Sequence, residues 1–316
     1  MSKGKKNLLS GVKPTGRPHI GNYFGAMKQF ADLQNQYQTS VMIANYHDLG
    51  SGQTPGELRQ NTLDAAIDHL AIGLDPQRIT LFRQADVPEH AELAWIFNSL
   101  VTVPYLQRAH AYKDAVAKGK EATMTLFAYP VLMATDILMY NTHVVPVGKD
   151  QQQHVEIARD IAEKFNHCYG KLFNLPEALI LEEVAVVPGI DGQKMSKSYG
   201  NTIPLFASDE EIKKAVMGIV TDSDSGRPEN VYAIHKLLKP ADELDPLYEE
   251  KAGKYKDLKE ALLEDMIAFI AVLRERREEI ASDIDQVEQI LKNGADQARE
   301  RAMLKMKQVR LAVGLD

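Results

Sequence analysis

Three stretches of this chain carry groups suited to chemistry. In Pro188 to Asn201, Lys194, Ser196, Lys197 and Ser198 fall within five residues, and Gly189, Gly192 and Gly200 punctuate the run. Paired ammonium groups on such a loop can clamp phosphates, though the same composition also suits a solvated surface loop. The second stretch is Gly11 to Asn22, GVKPTGRPHIGN, at a strand-to-helix crossover. Backbone N–H groups at a helix start lack intrahelical partners and carry the positive dipole end, which suits an anion. Gly21 has no Cβ and lets a ligand approach the backbone. Two familiar phosphate loops are excluded here: Arg17-Pro18 replaces the Lys-Ser/Thr of a P-loop, and no Gly-x-Gly-x-x-Gly follows the strand. The third stretch is Tyr129 to Tyr140, where Asp136 is the one charge among twelve residues. A carboxylate in low dielectric is costly unless a donor meets it. Asp136 is therefore either paired within the fold or the floor of a pocket that accepts a ligand's hydrogen bond.

These groups need elements to hold them. Asn7 to Val12 is a short apolar strand, and Tyr23, Phe24, Met27, Phe30 and Ala31 mark one face of a helix reaching about Tyr37. A strand over 40–46 ends at His47, and a helix over 56–72 is closed by Gly73. A strand over 79–82 follows, and Pro88 opens a helix to Leu100. This alternation predicts βαβ units and a parallel sheet, whose ligands sit at the strands' carboxyl ends. His47 and the Pro14–Asn22 loop both fall there. Residues 105–125 are polar and basic (Arg108, Lys113, Lys118, Lys120) and read as an insertion. Pro130 suits the first turn of the next helix, whose spacing aligns Tyr129, Met133, Asp136 and Tyr140. Val144 to Val147 is a strand, after which Asp150 and Gln151 start a helix to about Lys164; an Asp there is also a common cap. Beyond Leu179–Leu181 and the lysine loop the chain is helical. Ser208 and Glu211 form a capping box, long helices cover 258–280 and 295–311, and the last carries Arg299, Arg301, Lys305, Lys307 and Arg310.

Length and composition bound the answer. The chain has 316 residues, 44% hydrophobic and 26% charged, which is that of an ordinary globular protein of about two domains. Its 37 basic and 44 acidic residues give a net charge of −7, which argues against a global basic field for coating nucleic acid, and no DNA partner is expected. A lone cysteine, Cys168, excludes an intramolecular disulfide or a multi-cysteine metal site and suits a reducing, cytoplasmic setting. No apolar run reaches transmembrane length, so no membrane partner is expected.

Taken together, the motifs resemble a known family. Lys194-Met195-Ser196-Lys197-Ser198 is the KMSKS signature of class I aminoacyl-tRNA synthetases, and Pro14-Thr15-Gly16-x-x-His19-Ile20-Gly21-Asn22 is similar to their HIGH signature. Asn22 replaces the final histidine, as in the tryptophanyl branch. The stretches around Asp136 and Val145-Pro146-Val147-Gly148-x-Asp150-Gln151-x-x-His154 also resemble bacterial tryptophanyl-tRNA synthetases. The resemblance implies an α/β fold: a Rossmann-like catalytic domain over 1–205, and a small all-helical domain over 206–316 that meets the tRNA anticodon and returns to the catalytic domain near its end. It implies ATP with Mg2+, tryptophan, tRNA(Trp) and a homodimer. By motif, Thr15, Gly16, His19, Gly21, Asn22, Gly148 and Met195 hold the nucleotide and Asp150 its ribose, while Lys194, Ser196 and Lys197 follow the pyrophosphate. Tyr129, Met133, Asp136, Val145, Val147 and Gln151 form the amino-acid pocket with His47 near it, and no residue is assigned to a protein-held metal. Leu9 stands where an aromatic often lines the indole pocket. Lys13 stands where many members have glutamine, within reach of the substrate carboxylate or a phosphate. A tyrosyl enzyme and a catalytically silent RNA-binding paralogue are the competing readings.

Overall fold

The structure is a computed structural model that describes all residues except 1–4, 118, 120, 149–150, 181–186 and 222–226. Asp150, Lys118, Lys120 and Leu181 therefore lie outside the described residues. In chain order the strands are β1 Asn7–Val12, β2 Gln38–Ile43, β3 Ile79–Arg83, β4 Val144–Val147 and β5 Glu177–Ile180. The helices are α1 Ile20–Asn22, α2 Lys28–Leu33, α3 Pro55–Ala71, α4 Glu89–Asn98, α5 Val103–Leu106, α6 His110–Ala117, α7 Met124–Met139, α8 Gln152–Tyr169, α9 Asp209–Met217, α10 Glu229–His235, α11 Ala241–Glu250, α12 Tyr255–Ala281 and α13 Ile284–Val313.

The five strands form one sheet in the order β3-β2-β1-β4-β5, and every pairing is parallel. β1 is central because Leu8, Leu9 and Ser10 are buried from both sides. The chain steps outward from β1 through β2 to β3, then returns to lay β4 against the other side of β1. The order reverses between β1 and β4, and that switch point opens a crevice at the strands' carboxyl ends. The loops bearing His19, His47, Gln84 and Gly148 all leave the sheet at this edge.

Several elements differ from the sequence expectations. The first helix is interrupted: a π-helical stretch, Tyr23–Met27, joins α1 to α2. Such widened turns recur at functional sites. The polar 105–125 segment contains α5 and α6. α7 begins at Met124, capped by the Thr123 hydroxyl, which accepts from Leu126 N–H at 3.2 Å. Pro130 is therefore inside the helix rather than in its first turn. Burial of Val131, Ala134, Ile137 and Leu138 carries the helix through it.

Two cores matter for the site. One packs α4, α7 and α8 on the sheet and includes Leu9, Val145 and Val147. The other joins Ile20, Phe24 and Met27 of the crossover helix to Met195 of the lysine loop and to Val216, Val231, Leu258 and Ile270 of the helical region. The helices after 206 are thus packed directly on the two signatures.

α13 is the exception among them. Its Ala295, Ala298, Ala302 and Met306 lie in the sheet core, and Gly294 sits so close to β3 that a Cβ would fall 1.9 Å from the Leu81 carbonyl oxygen. Four of the five basic side chains over 299–310 of this helix reach groups of the catalytic unit. Arg299 reaches Glu89 at 3.3 Å and Arg310 reaches Glu92 at 2.5 Å. Arg301 donates to the Tyr140 carbonyl and Lys305 to that of Leu172. Of the five, Arg299 and Lys307 are exposed. Arg301 and Lys305 share the alanine face that docks on the catalytic unit, while Arg299 and Arg310 pair with Glu89 and Glu92 beside it. Gly294→Ala is expected to lower stability by about 1–3 kcal/mol through overpacking against backbone. Urea unfolding checks this, and an unchanged midpoint would show that α13 can shift at no cost.

Candidate active site

The first half of the site is built where β1 runs into α1. The His19 N–H donates to Asn22 Oδ1 at 3.0 Å, so Asn22 caps the helix start from within. The His19 ring is buried, and its Nδ1 has no hydrogen-bond partner among the described residues. Burial first, and then the Lys197 ammonium, push its pKa down to about 4. At neutral pH it is an uncharged ring able to hydrogen-bond. Gly21 is required here by close approach: a Cβ would lie 2.9 Å from His19 Nδ1 and 3.4 Å from Met195 Cβ.

The lysine loop closes on this turn. Lys197 Nζ donates to the carbonyls of both Thr15 and Gly16 at 2.9 Å, and burial pulls its pKa below the usual lysine range. Met195 is buried beneath, while Lys194 and Lys13 are exposed. Asn201 pins the loop: its Oδ1 accepts from Ser196 N–H at 2.8 Å, and its Nδ2 donates to Asp191 Oδ1 at 2.7 Å and to the Lys194 carbonyl at 3.1 Å. The Ser196 and Ser198 hydroxyls pair at 2.9 Å. On the far side of the turn, Gln53 donates to the Pro14 carbonyl at 3.2 Å and is held by Asp48 and Asn61.

The second half centres on Asp136, which is 2% exposed on α7. Its Oδ2 accepts from His47 Nε2 at 2.7 Å. Its Oδ1 accepts from Gln84 Nε2 at 2.8 Å and His90 Nδ1 at 2.6 Å. Burial alone would raise this carboxyl's pKa, but the hydrogen bonds from His47 and His90 outweigh it and hold it below the usual range. Tyr129 lies edge-on to His47, with centroids 6.4 Å apart. Its hydroxyl meets His154 Nε2 at 3.2 Å, and burial raises its pKa to about 12. Met133 packs half-buried against the core that holds Leu9, Val145 and Val147. Gln151 is exposed at the start of α8, and Gly148 is exposed after β4.

Of the sequence candidates, His19, Gly21, Asn22, Thr15, Gly16, Met195, Ser196 and Lys197 form one cluster. Asp136, His47, Tyr129 and Met133 form the other, with Leu9, Val145 and Val147 in the core below. Gln84, His90 and Asn201 were not anticipated. A buried glutamine just past β3 and a histidine in the first turn of α4 were the available signals; neither names its partner. Chemically, the arrangement offers a cationic grip suited to phosphate and a buried hydrogen-bond acceptor among aromatic and apolar side chains. No group of three His, Cys, Asp or Glu side chains among the described residues is placed to hold a metal ion.

The family described as tRNA synthetases class I (W and Y) matches residues 1–291. Tryptophan--tRNA ligase of Fusobacterium nucleatum is 47% identical over 319 residues, covering 98% of each chain. A crystal structure of tryptophanyl-tRNA synthetase from Campylobacter jejuni, complexed with ADP and tryptophan, is similar at a TM-score of 0.92 and 46% identity, over 98% of this chain and 100% of that one. A tyrosyl-tRNA synthetase from Archaeoglobus fulgidus shares the fold at a TM-score of 0.67 and 20% identity, over 87% of this chain and 91% of that one.

Proposed function

Since the chain belongs to the class I tRNA synthetases for tryptophan and tyrosine, on the tryptophan side of that family, we propose how its residues divide the work. It activates tryptophan with ATP, then passes the aminoacyl group to the 3′ end of tRNA(Trp), releasing pyrophosphate and AMP. In the first step a tryptophan carboxylate oxygen bonds to the α-phosphorus, and the bond to the β-phosphate's bridging oxygen breaks. Such a transfer asks the protein for position and charge rather than a nucleophile.

Lys197, with Lys194 and Ser196, takes the charge that grows on the departing pyrophosphate. Uncharged His19, with Thr15, Gly16, Gly21 and Asn22, holds the nucleotide by hydrogen bonds and close backbone approach. Met195 backs that turn, and Gly148 and Asp150 take the ribose side. Asp136 accepts the indole N–H, with Tyr129, Met133, His47 and Gln151 around the ring and Leu9, Val145 and Val147 beneath it. Lys13, exposed beyond β1, is in place for the substrate carboxylate or a phosphate. Magnesium enters with ATP, since it favours substrate phosphates and water over an all-protein cage. The observation that carries the reading is the pair of bonds from Lys197 to Thr15 and Gly16, which brings one signature onto the other. Tryptophan-dependent ATP–pyrophosphate exchange tests it. Exchange is expected with tryptophan, far less with tyrosine, and none once EDTA removes the metal; faster exchange with tyrosine would overturn the pocket assignment.

The working unit we propose is a homodimer acting in the cytoplasm. Trp95, the one tryptophan in the chain, is 79% exposed on α4, and Leu304 and Leu311 of neighbouring α13 are exposed as well. Large apolar side chains so displayed mark contact surfaces. Light scattering should give twice the 35.3 kDa chain mass, and Trp95→Asp should weaken the dimer at least about tenfold. A wild-type monomer at micromolar concentration would refute this. Among the described residues no helix is long and apolar enough to cross a membrane.

A further inference from the structure

We propose that His90, locked by Tyr140 behind it, is a specificity-determining positioning residue that leaves Asp136 one free acceptor direction for the indole N–H. This rests on the reading that Asp136 receives that N–H. An ionised carboxylate only accepts, through about four lone-pair directions. Gln84 and His90 take both directions of Oδ1, and His47 takes one of Oδ2. The remaining direction is on Oδ2, the oxygen that meets His47.

His90 cannot be a ligand contact itself, because it is 0% exposed. Its Nδ1 faces an acceptor-only group and must carry hydrogen. Its Nε2 pairs with the Tyr140 hydroxyl, 2.6 Å away. Burial raises the Tyr140 pKa, which keeps that hydroxyl protonated. Tyr140 is fixed in turn. Its ring meets Phe82 edge-on at 5.6 Å, and the Arg301 guanidinium of α13 lies 5.1 Å over it. The Tyr140 carbonyl accepts from Arg301 at 3.3 Å and from Asn7 at 3.1 Å. The row Arg301, Tyr140, His90, Asp136 therefore runs from the docked C-terminal helix to the substrate acceptor. The χ2 torsion of an aspartate is otherwise broad. Without His90, Oδ1 regains an open lone pair, and the carboxylate can turn to present either oxygen.

The test is pyrophosphate exchange with tryptophan and with N1-methyltryptophan as a probe that lacks the indole donor. His90→Leu removes the backing bond, His90→Asn keeps a donor near the Nδ1 position, and Tyr140→Phe removes the lock alone. His90→Leu should raise the tryptophan KM about tenfold or more, leave kcat and the ATP KM nearly native, and narrow the preference over the methyl analogue. His90→Asn should restore most of that preference, with Tyr140→Phe in between. A folded His90→Leu with native KM and preference overturns the proposal. So does a loss that falls equally on ATP and is not rescued by asparagine, since that is general damage. Asp136→Ala separates the two layers: if it keeps the native preference, the indole reading itself fails, whereas a silent His90 beside a defective Asp136→Ala removes this proposal alone. Should His90→Leu not fold, Tyr140→Phe decides, and a native preference there counts against the proposal.

Discussion

Lys197→Ala is expected to slow tryptophan-dependent pyrophosphate exchange by about 10²–10³-fold, as for a lost charge-stabilising donor. The Nζ group bridges the Thr15 and Gly16 carbonyls on the turn that leads into His19. Two carbonyl dipoles neutralise an ammonium weakly compared with a pyrophosphate carrying the leaving group's charge. The attraction is therefore strongest as the phosphorus–oxygen bond breaks, and an interaction stronger in the transition state is read in kcat rather than in substrate binding. The carbonyls left behind face a solvent-accessible turn, so folding stability should change little. The tryptophan KM should stay close to native, since the proposed role of Lys197 is on the nucleotide. Lys197→Arg keeps the charge but spreads it over a planar fork, and an intermediate rate is expected. Steady-state exchange over both substrates checks each part, and near-native kcat in the alanine variant would remove Lys197 from the mechanism.

Asp136→Ala should reduce kcat/KM for tryptophan by roughly 5- to 150-fold, the equivalent of about 1–3 kcal/mol for an unpaired indole N–H. It should also destabilise the fold. His47, Gln84 and His90 all donate to this carboxylate, and each orphaned buried donor costs about 1–3 kcal/mol. Asp136→Asn offers little relief, because both oxygens already accept: either placement of the amide sets an NH2 group against a donor. Thermal unfolding and exchange kinetics on the two variants decide this, and an asparagine variant with native kcat/KM would show that one acceptor oxygen suffices. The pH dependence has a defined sign. The folded pKa lies below the ordinary 3.8, so the stability this group contributes is complete above that value and is lost as acid drives the pH down through the folded pKa.

The alternation of strands and helices follows from the order of residues alone, because hydrophobic period and capping are local. β1 and β4 fall where the apolar runs place them, and the Ser208–Glu211 box forms as read, with the Ser208 N–H donating to Glu211 at 2.8 Å. The two signatures were legible because phosphate binding imposes fixed residue types at short spacing. Asp136 was legible too, as a charge that an apolar helix must explain. What answered it was not, since its donors lie 89, 52 and 46 residues away and meet only because parallel strands bring their carboxyl ends to one edge. Pro130 lies inside α7 because burial of the following turns outweighs a missing N–H, a balance no local rule contains. The face of α13 was likewise undecided: a run of arginine, lysine and alanine is equally a solvated surface or a docking seam. Gly294 against the Leu81 carbonyl and Glu89 and Glu92 opposite the arginines turn it inward, because small residues permit close approach and facing carboxylates supply the counter-charge.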